Sequence, residues 1–94
     1  MANTKIQTSF KEAIIALNTN IDTITKSGVY YVGGTDANLP EGSNGYLIVL
    51  SNVSYGSKQI FTRYGTSGSN DGNIYIRNMT GAKAWWKFTG TLLT

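Results

Sequence analysis

The sequence predicts a mainly β protein that begins with one α-helix, and two patterns support this prediction. From Gly28 onward, short runs of β-branched and aromatic residues alternate with clusters of Gly, Ser, Asn and Asp, as in short strands joined by turns. Before Gly28, apolar residues recur at steps of four, three, four and three, which is the spacing of one helix face. The 94 residues suffice for one small domain with a short appendage.

The predicted helix runs from about Phe10 to Lys26 and begins at a Ser-x-x-Glu capping box, while Gly28 follows its end. Several Asn and Thr residues in its second half disfavour an isolated helix, so packing must stabilise it. The heptad pattern favours a coiled coil of three or four strands over residues 1–27, and the trimer is the form adopted for the expected interface. Ile15, outside the stripe, fits better with the alternative of a helix that packs on its own sheet. The expected trimer interface consists of five residues: Phe10, Ile14, Leu17, Ile21 and Ile24.

Residues 28–94 are expected to form a small antiparallel β knob or sandwich of five strands. Several of these strands are apolar on both faces, and a single sheet would leave one such face in water. We therefore expect a second sheet or neighbouring subunits to cover it. The apolar runs that predict the strands cover residues 28–32, 46–51, 59–64, 73–79 and 84–90.

The composition excludes several classes of function. The chain has no Cys and no His, which excludes disulfides, the usual zinc ligands and any Ser–His or Cys–His nucleophile. The net charge is +3, but the basic residues are scattered, so nucleic-acid binding is not expected. No stretch is long enough for a membrane span, and the N-terminus lacks a signal-peptide pattern. Of the usual means of stabilising so small a core, oligomerisation remains.

The acidic residues in loops do not predict catalysis or a metal site. Asp36, Glu41 and Asp71 could in principle form a glycosidase pair, but acids in turns are usually solvated. Asp71 with Asn70 and Asn73 lacks the acid count and spacing of a calcium loop. We therefore expect no enzymatic activity, no cofactor and no bound metal.

A set of short motifs occurs in fixed order along the chain: Gly28-Val29-Tyr30-Tyr31, Asn38-Leu39-Pro40, Gly45-Tyr46-Leu47-Ile48-Val49, Gln59-Ile60-Phe61 and Tyr75-Ile76-Arg77. In this order the motifs resemble the knob domain of phage tail fibres and R-type pyocin fibres over about residues 27–90. The ending departs from that family, because Trp85 and Trp86 are adjacent instead of three apart and must point to opposite faces of a strand.

The resemblance implies a homotrimeric receptor-binding module in a virion tail, made in the host cytoplasm. Its expected partners are other tail proteins and a bacterial surface polysaccharide or teichoic acid. Two alternatives remain open. The chain could be a structural spacer or trimerisation module of a fibre that binds no receptor, or an accessory carbohydrate-binding module of a wall hydrolase.

The candidate glycan-binding residues are aromatic and basic. Tyr and Trp rings suit stacking on a sugar while their polar edges bind hydroxyl groups, and an Arg could bind anionic glycans. Trp86 shares a strand face with Ala84 and Phe88 and is predicted to lie in the core. A structural role is the alternative for each residue of the predicted site, which is Tyr55, Arg63, Tyr64 and Trp85.

Overall fold

The computed structural model describes residues 12–64 and 72–93, and its regular elements form one six-stranded mixed sheet. The strands lie side by side in chain order, with β1 parallel to β2 and every other pair antiparallel. Two short 3-10 turns lie at Ile21–Thr23 and Pro40–Gly42. The strands are β1 (Ile14–Leu17), β2 (Gly28–Gly33), β3 (Gly45–Asn52), β4 (Gly56–Arg63), β5 (Ile74–Asn78) and β6 (Trp86–Phe88).

One face of this sheet, the core face, carries the hydrophobic core. Tyr30, Leu47, Phe61 and Tyr75 are aligned across β2 to β5, so their side chains lie in one row. The 3-10 turn at Ile21–Thr23 and the loop before β3 cover this row. The core consists of Ile21, Ile24, Tyr30, Val32, Ala37, Leu47, Val49, Phe61 and Tyr75, with Ala16, Leu39 and Trp85 packed against it.

The predicted N-terminal α-helix and its coiled coil are wrong. Within the described residues the stripe divides between two elements: Ile14 and Leu17 lie in β1, whereas Ile21 and Ile24 lie in and just after a 3-10 turn. Ile21 and Ile24 are buried in this chain's own core, and Ile14 and Leu17 are about half exposed. Phe10, the remaining residue of the expected interface, lies outside the described residues.

The local chemistry explains why a strand and a turn replace the helix. Asn18, directly after β1, adopts a positive φ of 56°, which a helix does not allow, and its N–H donates to the carbonyl of Gly33, the last residue of β2. The Asn20 side chain then accepts from the Asp22 N–H at 2.9 Å and caps the 3-10 turn. Ile21 and Ile24, one such turn apart, point together into the core.

The mainly β character holds, and all five predicted strands are present within one or a few residues of the expected bounds. A sixth strand, β1, lies where the apolar spacing predicts part of the helix. Because β1 runs parallel to β2, the sheet is mixed and not wholly antiparallel. Residues 14–27 thus contribute to the same sheet and core as the strands that follow. No helical segment of the described chain is long and apolar enough to cross a bilayer.

The opposite side of the sheet, the open face, is also apolar. The sequence predicted strands with two apolar faces, and the register shows which residues occupy the second one. Many of them are substantially exposed. The open face carries Ile15, Leu17, Val29, Tyr31, Tyr46, Ile48, Leu50, Ile60, Ile74, Ile76, Trp86 and Phe88.

Candidate functional site

Three tyrosines cluster at one end of the open face and line a shallow groove of about 480 Å³, which we call the tyrosine groove. The rings of Tyr31 and Tyr46 meet edge to face with centroids 5.3 Å apart. Those of Tyr31 and Tyr64 do so at 6.3 Å. Tyr31 is half buried between the other two, which are exposed. The groove is lined by Glu12, Ala13, Ile15, Tyr31, Tyr46 and Tyr64.

Sheet register brings these tyrosines together. Tyr31 of β2 is directly opposite Tyr46 of β3, and Ile15 of β1 is aligned with Tyr31 on its other side. Tyr64 follows β4, where its N–H donates to the Asn44 carbonyl at 2.9 Å. That bond holds the end of β4 beside the start of β3. Tyr31 and Tyr46 therefore stand on adjacent strands, and Tyr64 directly follows a third.

The groove offers flat apolar surfaces with polar edges. Paired aromatic rings in edge-to-face contact support one another in a fixed orientation, contributing about 0.5 to 1.5 kcal/mol per pair beyond burial. Within the described chain no residue accepts a hydrogen bond from these three hydroxyl groups. Such a surface can stack on the apolar face of a sugar ring and hydrogen-bond its hydroxyls.

Only one residue of the predicted site lies in the tyrosine groove, namely Tyr64. Tyr55 is 90% exposed in the β3–β4 hairpin, at the far end of β3 from Tyr46 and roughly 20 Å away along the strand. Arg63 is aligned with Gly45 on the core face, and its Nε atom is buried without a hydrogen-bond partner among the described residues. The predicted residues therefore do not converge on one site.

The two tryptophans take the opposite roles to those expected. Trp85 packs against Phe61 and Tyr75, with ring centroids 6.5 Å apart in both cases. Trp86 points to the open face and is 57% exposed. The prediction that neighbouring tryptophans face opposite sides is confirmed, but the assignment of the buried one was wrong.

A polar network on the core face explains why Trp85 turns inward. Arg77 is 3% exposed, and its Cζ lies 4.3 Å from the centroid of the Trp85 ring. Its Nη2 donates to Asp22 Oδ1 at 2.8 Å and to Gln59 Oε1 at 2.7 Å, and its Nε donates to the same Gln59 oxygen at 3.0 Å. Gln59 Nε2 donates in turn to the carbonyls of Ile21 and Ile24. This network fastens the 3-10 turn to the sheet.

A second polar cluster includes one of the loop acids, Glu41. Tyr75 Oη donates to Glu41 Oε1 and Lys87 Nζ donates to Oε2, each at 2.7 Å. Both bonds lower the pKa of Glu41, and the bond from Lys87 has the larger effect. The pKa of Tyr75 is raised, mainly by burial and to a smaller extent by its bond to Glu41. The pKa of Lys87 is raised by its own bond to Glu41. Because both carboxylate oxygens are engaged, this acid suits a structural role.

The other acidic candidates form no centre in the described residues. Asp36 is exposed in the loop after β2, and Asp71 and Asn70 lie outside the described residues. Asn73 is buried. The described chain contains no group of three or more acidic side chains close enough to hold a metal ion.

Sequence reasoning missed Tyr31 and Tyr46. Both lie in strands that were predicted correctly, and both are open-face residues by simple alternation. The signal was present in the two-faced pattern of those strands, but the cross-strand partner of each tyrosine depends on register, which the pattern alone does not specify.

No protein-family model, curated protein or solved structure was found to match this chain. The class of protein that the fold defines is thus a small mixed β-sheet module with one covered and one open face. The case for its function rests on the residues described above.

Proposed function

We propose that this chain is a non-catalytic carbohydrate-binding module of a phage tail fibre, which attaches to a bacterial surface polysaccharide through the tyrosine groove. The observation that carries this proposal is the cluster of Tyr31 and Tyr46 on adjacent strands with Tyr64 just after β4, with two of the rings exposed. The order of sequence motifs that resembles fibre knob domains supports the same proposal.

The groove favours a neutral or amino sugar over a teichoic acid. Glu12 is the charged side chain that lines it, and an acidic group repels phosphate. Arg63, the residue expected to bind an anionic glycan, lies on the core face near Glu41 and Lys87. A polymer of neutral hexoses therefore fits the chemistry of the groove better than a polyphosphate.

Attachment through such a groove depends on repetition. A shallow site built on three rings binds a single sugar weakly, because much of the ligand stays in water. Several copies presented together gain affinity through effective concentration. We therefore expect intact cells and long polysaccharides to bind much better than monosaccharides.

The test measures binding of labelled protein to a panel of bacterial cells and to arrays of neutral and anionic glycans. Tyr46→Ala and Tyr64→Ala should each weaken binding about tenfold, because each removes a stacking surface worth roughly 1 kcal/mol or more. Tyr55→Ala is the matched control, since Tyr55 is an exposed tyrosine far from the groove. It should bind like the parent protein.

Binding that survives both groove substitutions while the variants stay folded would contradict the assignment of the groove. A parent protein that binds no cell and no glycan would favour the alternative of a structural spacer. Preference for purified teichoic acid over neutral polysaccharide would contradict the proposed sugar class while leaving attachment itself intact.

A further inference from the structure

We infer that the open face at the β5–β6 end of the sheet is the surface through which copies of this chain associate with one another. This β5–β6 patch consists of Ile74 and Ile76 on β5 with Trp86 and Phe88 on β6. Ile74 is directly opposite Phe88, and Ile76 is directly opposite Trp86, so the four side chains form one cluster. Ile74, Trp86 and Phe88 each expose between 44% and 57% of their surface.

Apolar surface continues from the patch toward the middle of the sheet. Ile60 of β4 is aligned with Ile76, and Ile48 of β3 is aligned with Ile60, which extends the apolar row inward. Leu50 is exposed on the same face, and its partner on β4 is the exposed Lys58, which borders this surface. Lys87 points to the other side of β6, where it binds Glu41. The four residues of the patch itself are therefore uncharged.

The area is large enough for a specific interface. The apolar residues of the open face outside the tyrosine groove expose roughly 600 Å², more than most monomeric proteins leave uncovered in one patch. Two such surfaces in contact would bury up to ~1,200 Å² in total, which is the lower end of the range for a standard specific interface.

A second copy of the chain is the partner that this surface fits. A flat, uncharged apolar patch is complementary to itself, and each copy brings the same patch to the contact. The patch also borders an edge strand, because β6 pairs only with β5 within the described sheet. The net charge of +3 is too small to oppose self-association strongly. This interface is distinct from the coiled coil that the structure excludes.

The tyrosine groove lies toward the β1–β3 side of the open face, and Tyr64 at the end of β4 is its residue nearest to the patch. A copy seated on β5 and β6 therefore leaves the groove accessible. Self-association and sugar binding use different residues, so either can fail without the other.

The test is the mass of the protein in solution, measured by light scattering and sedimentation from low micromolar concentration upward. We expect the native mass to be a multiple of the 10.2 kDa chain and to fall on dilution. Trp86→Ser and Phe88→Ser should each raise the dissociation constant at least about tenfold. Tyr55→Ser, which removes an exposed aromatic ring outside the patch, should leave the dissociation constant unchanged.

A second measurement does not depend on those variants. In Trp85→Phe, Trp86 is the single fluorophore of its type. Its emission should be blue-shifted and protected from acrylamide in the associated form, and both properties should be lost on dilution. A parent protein that is monomeric at every concentration would overturn the inference. Association that is unchanged in both patch variants, or a Trp86 that stays exposed in the associated form, would also overturn it.

Discussion

At the scale of single residues, Arg77 links parts of the chain that are distant in sequence. Its guanidinium binds Asp22 in the 3-10 turn and Gln59 on β4, and it lies against Trp85. The carbonyl oxygen of Lys83 accepts a further bond from Nη1 at 3.3 Å. A buried cation is costly unless its donors are satisfied, and here four groups share that task.

Replacing Arg77 with Ala should lower the free energy of unfolding by about 3 kcal/mol, because it leaves the buried Gln59 oxygen without its donor and the Trp85 ring without its neighbour. Asp22→Asn should cost less, since Asp22 is one-third exposed and water can replace its partner. Urea unfolding monitored by circular dichroism measures both. Equal losses in the two variants would contradict a network centred on Arg77.

The ion pair of Glu41 and Lys87 makes stability depend on pH. The lowered pKa of Glu41 means that its contribution is present above the ordinary value of 4.5 and is lost as pH falls through the lowered value. The raised pKa of Lys87 means that its contribution is present below 10.5 and is lost as pH rises through the raised value. The raised pKa of Tyr75 adds to the alkaline loss above pH 10.

Thermal unfolding should therefore show a plateau of stability between about pH 5 and pH 10 with a decline on either side. Both members of the pair are substantially exposed, so added salt should weaken the effect. Glu41→Gln should flatten the acid limb, whereas Asp36→Gln, at an exposed acid in a neighbouring loop, should not. An acid limb that is identical in Glu41→Gln and the parent protein would remove this pair from the explanation.

At the scale of elements, β1 extends the sheet by one strand, whereas the 3-10 turn after it covers the core face. β1 adds a parallel edge to β2, with Ala16 against the core. The turn then lies over the core face, where the Ile21 N–H donates to the Ala37 carbonyl at 3.0 Å. One continuous segment thus contributes a strand to the sheet and part of the layer above it.

Because these apolar residues lie in two different elements, we expect substitutions among them to lower the free energy of unfolding by unequal amounts. Ile21→Ala should cost about 2 to 5 kcal/mol, because the side chain is fully buried and its loss leaves a cavity. Leu17→Ala, at a half-exposed position of β1, should cost less than about 1 kcal/mol. Chemical unfolding of the two variants measures the difference. Equal costs would be the result for a helical seam and would contradict the observed elements.

At the scale of the whole molecule, the single sheet has a covered side and an uncovered side. The 3-10 turn with Ile21 and Ile24, the loop with Leu39, and Trp85 cover the core face. The open face places the tyrosine groove at one end and the β5–β6 patch at the other. A module with this layout can associate with copies of itself through one end while presenting the other to a ligand.

The sequence by itself determined the strands from Gly28 onward, because alternation and turn residues are local signals that survive in any tertiary context. It also determined the absence of disulfide and histidine chemistry. The two-faced strands predicted a cover on both sides of the sheet. The described residues form one sheet and no second one, so that alternative is wrong, whereas cover by neighbouring subunits stays a prediction.

Only the tertiary structure decided the conformation of residues 14–24, the orientation of the tryptophans and the grouping of the tyrosines. The apolar spacing of a short strand followed by a 3-10 turn coincides with that of a helix, so periodicity could not separate them. The contact that settles it joins Gln59 to Ile21, 38 residues earlier in the chain. Trp85 and Trp86 are adjacent residues of the same type, and it is Trp85 that packs against the Arg77 guanidinium. Long-range pairing and register made these choices, and no local pattern encodes them.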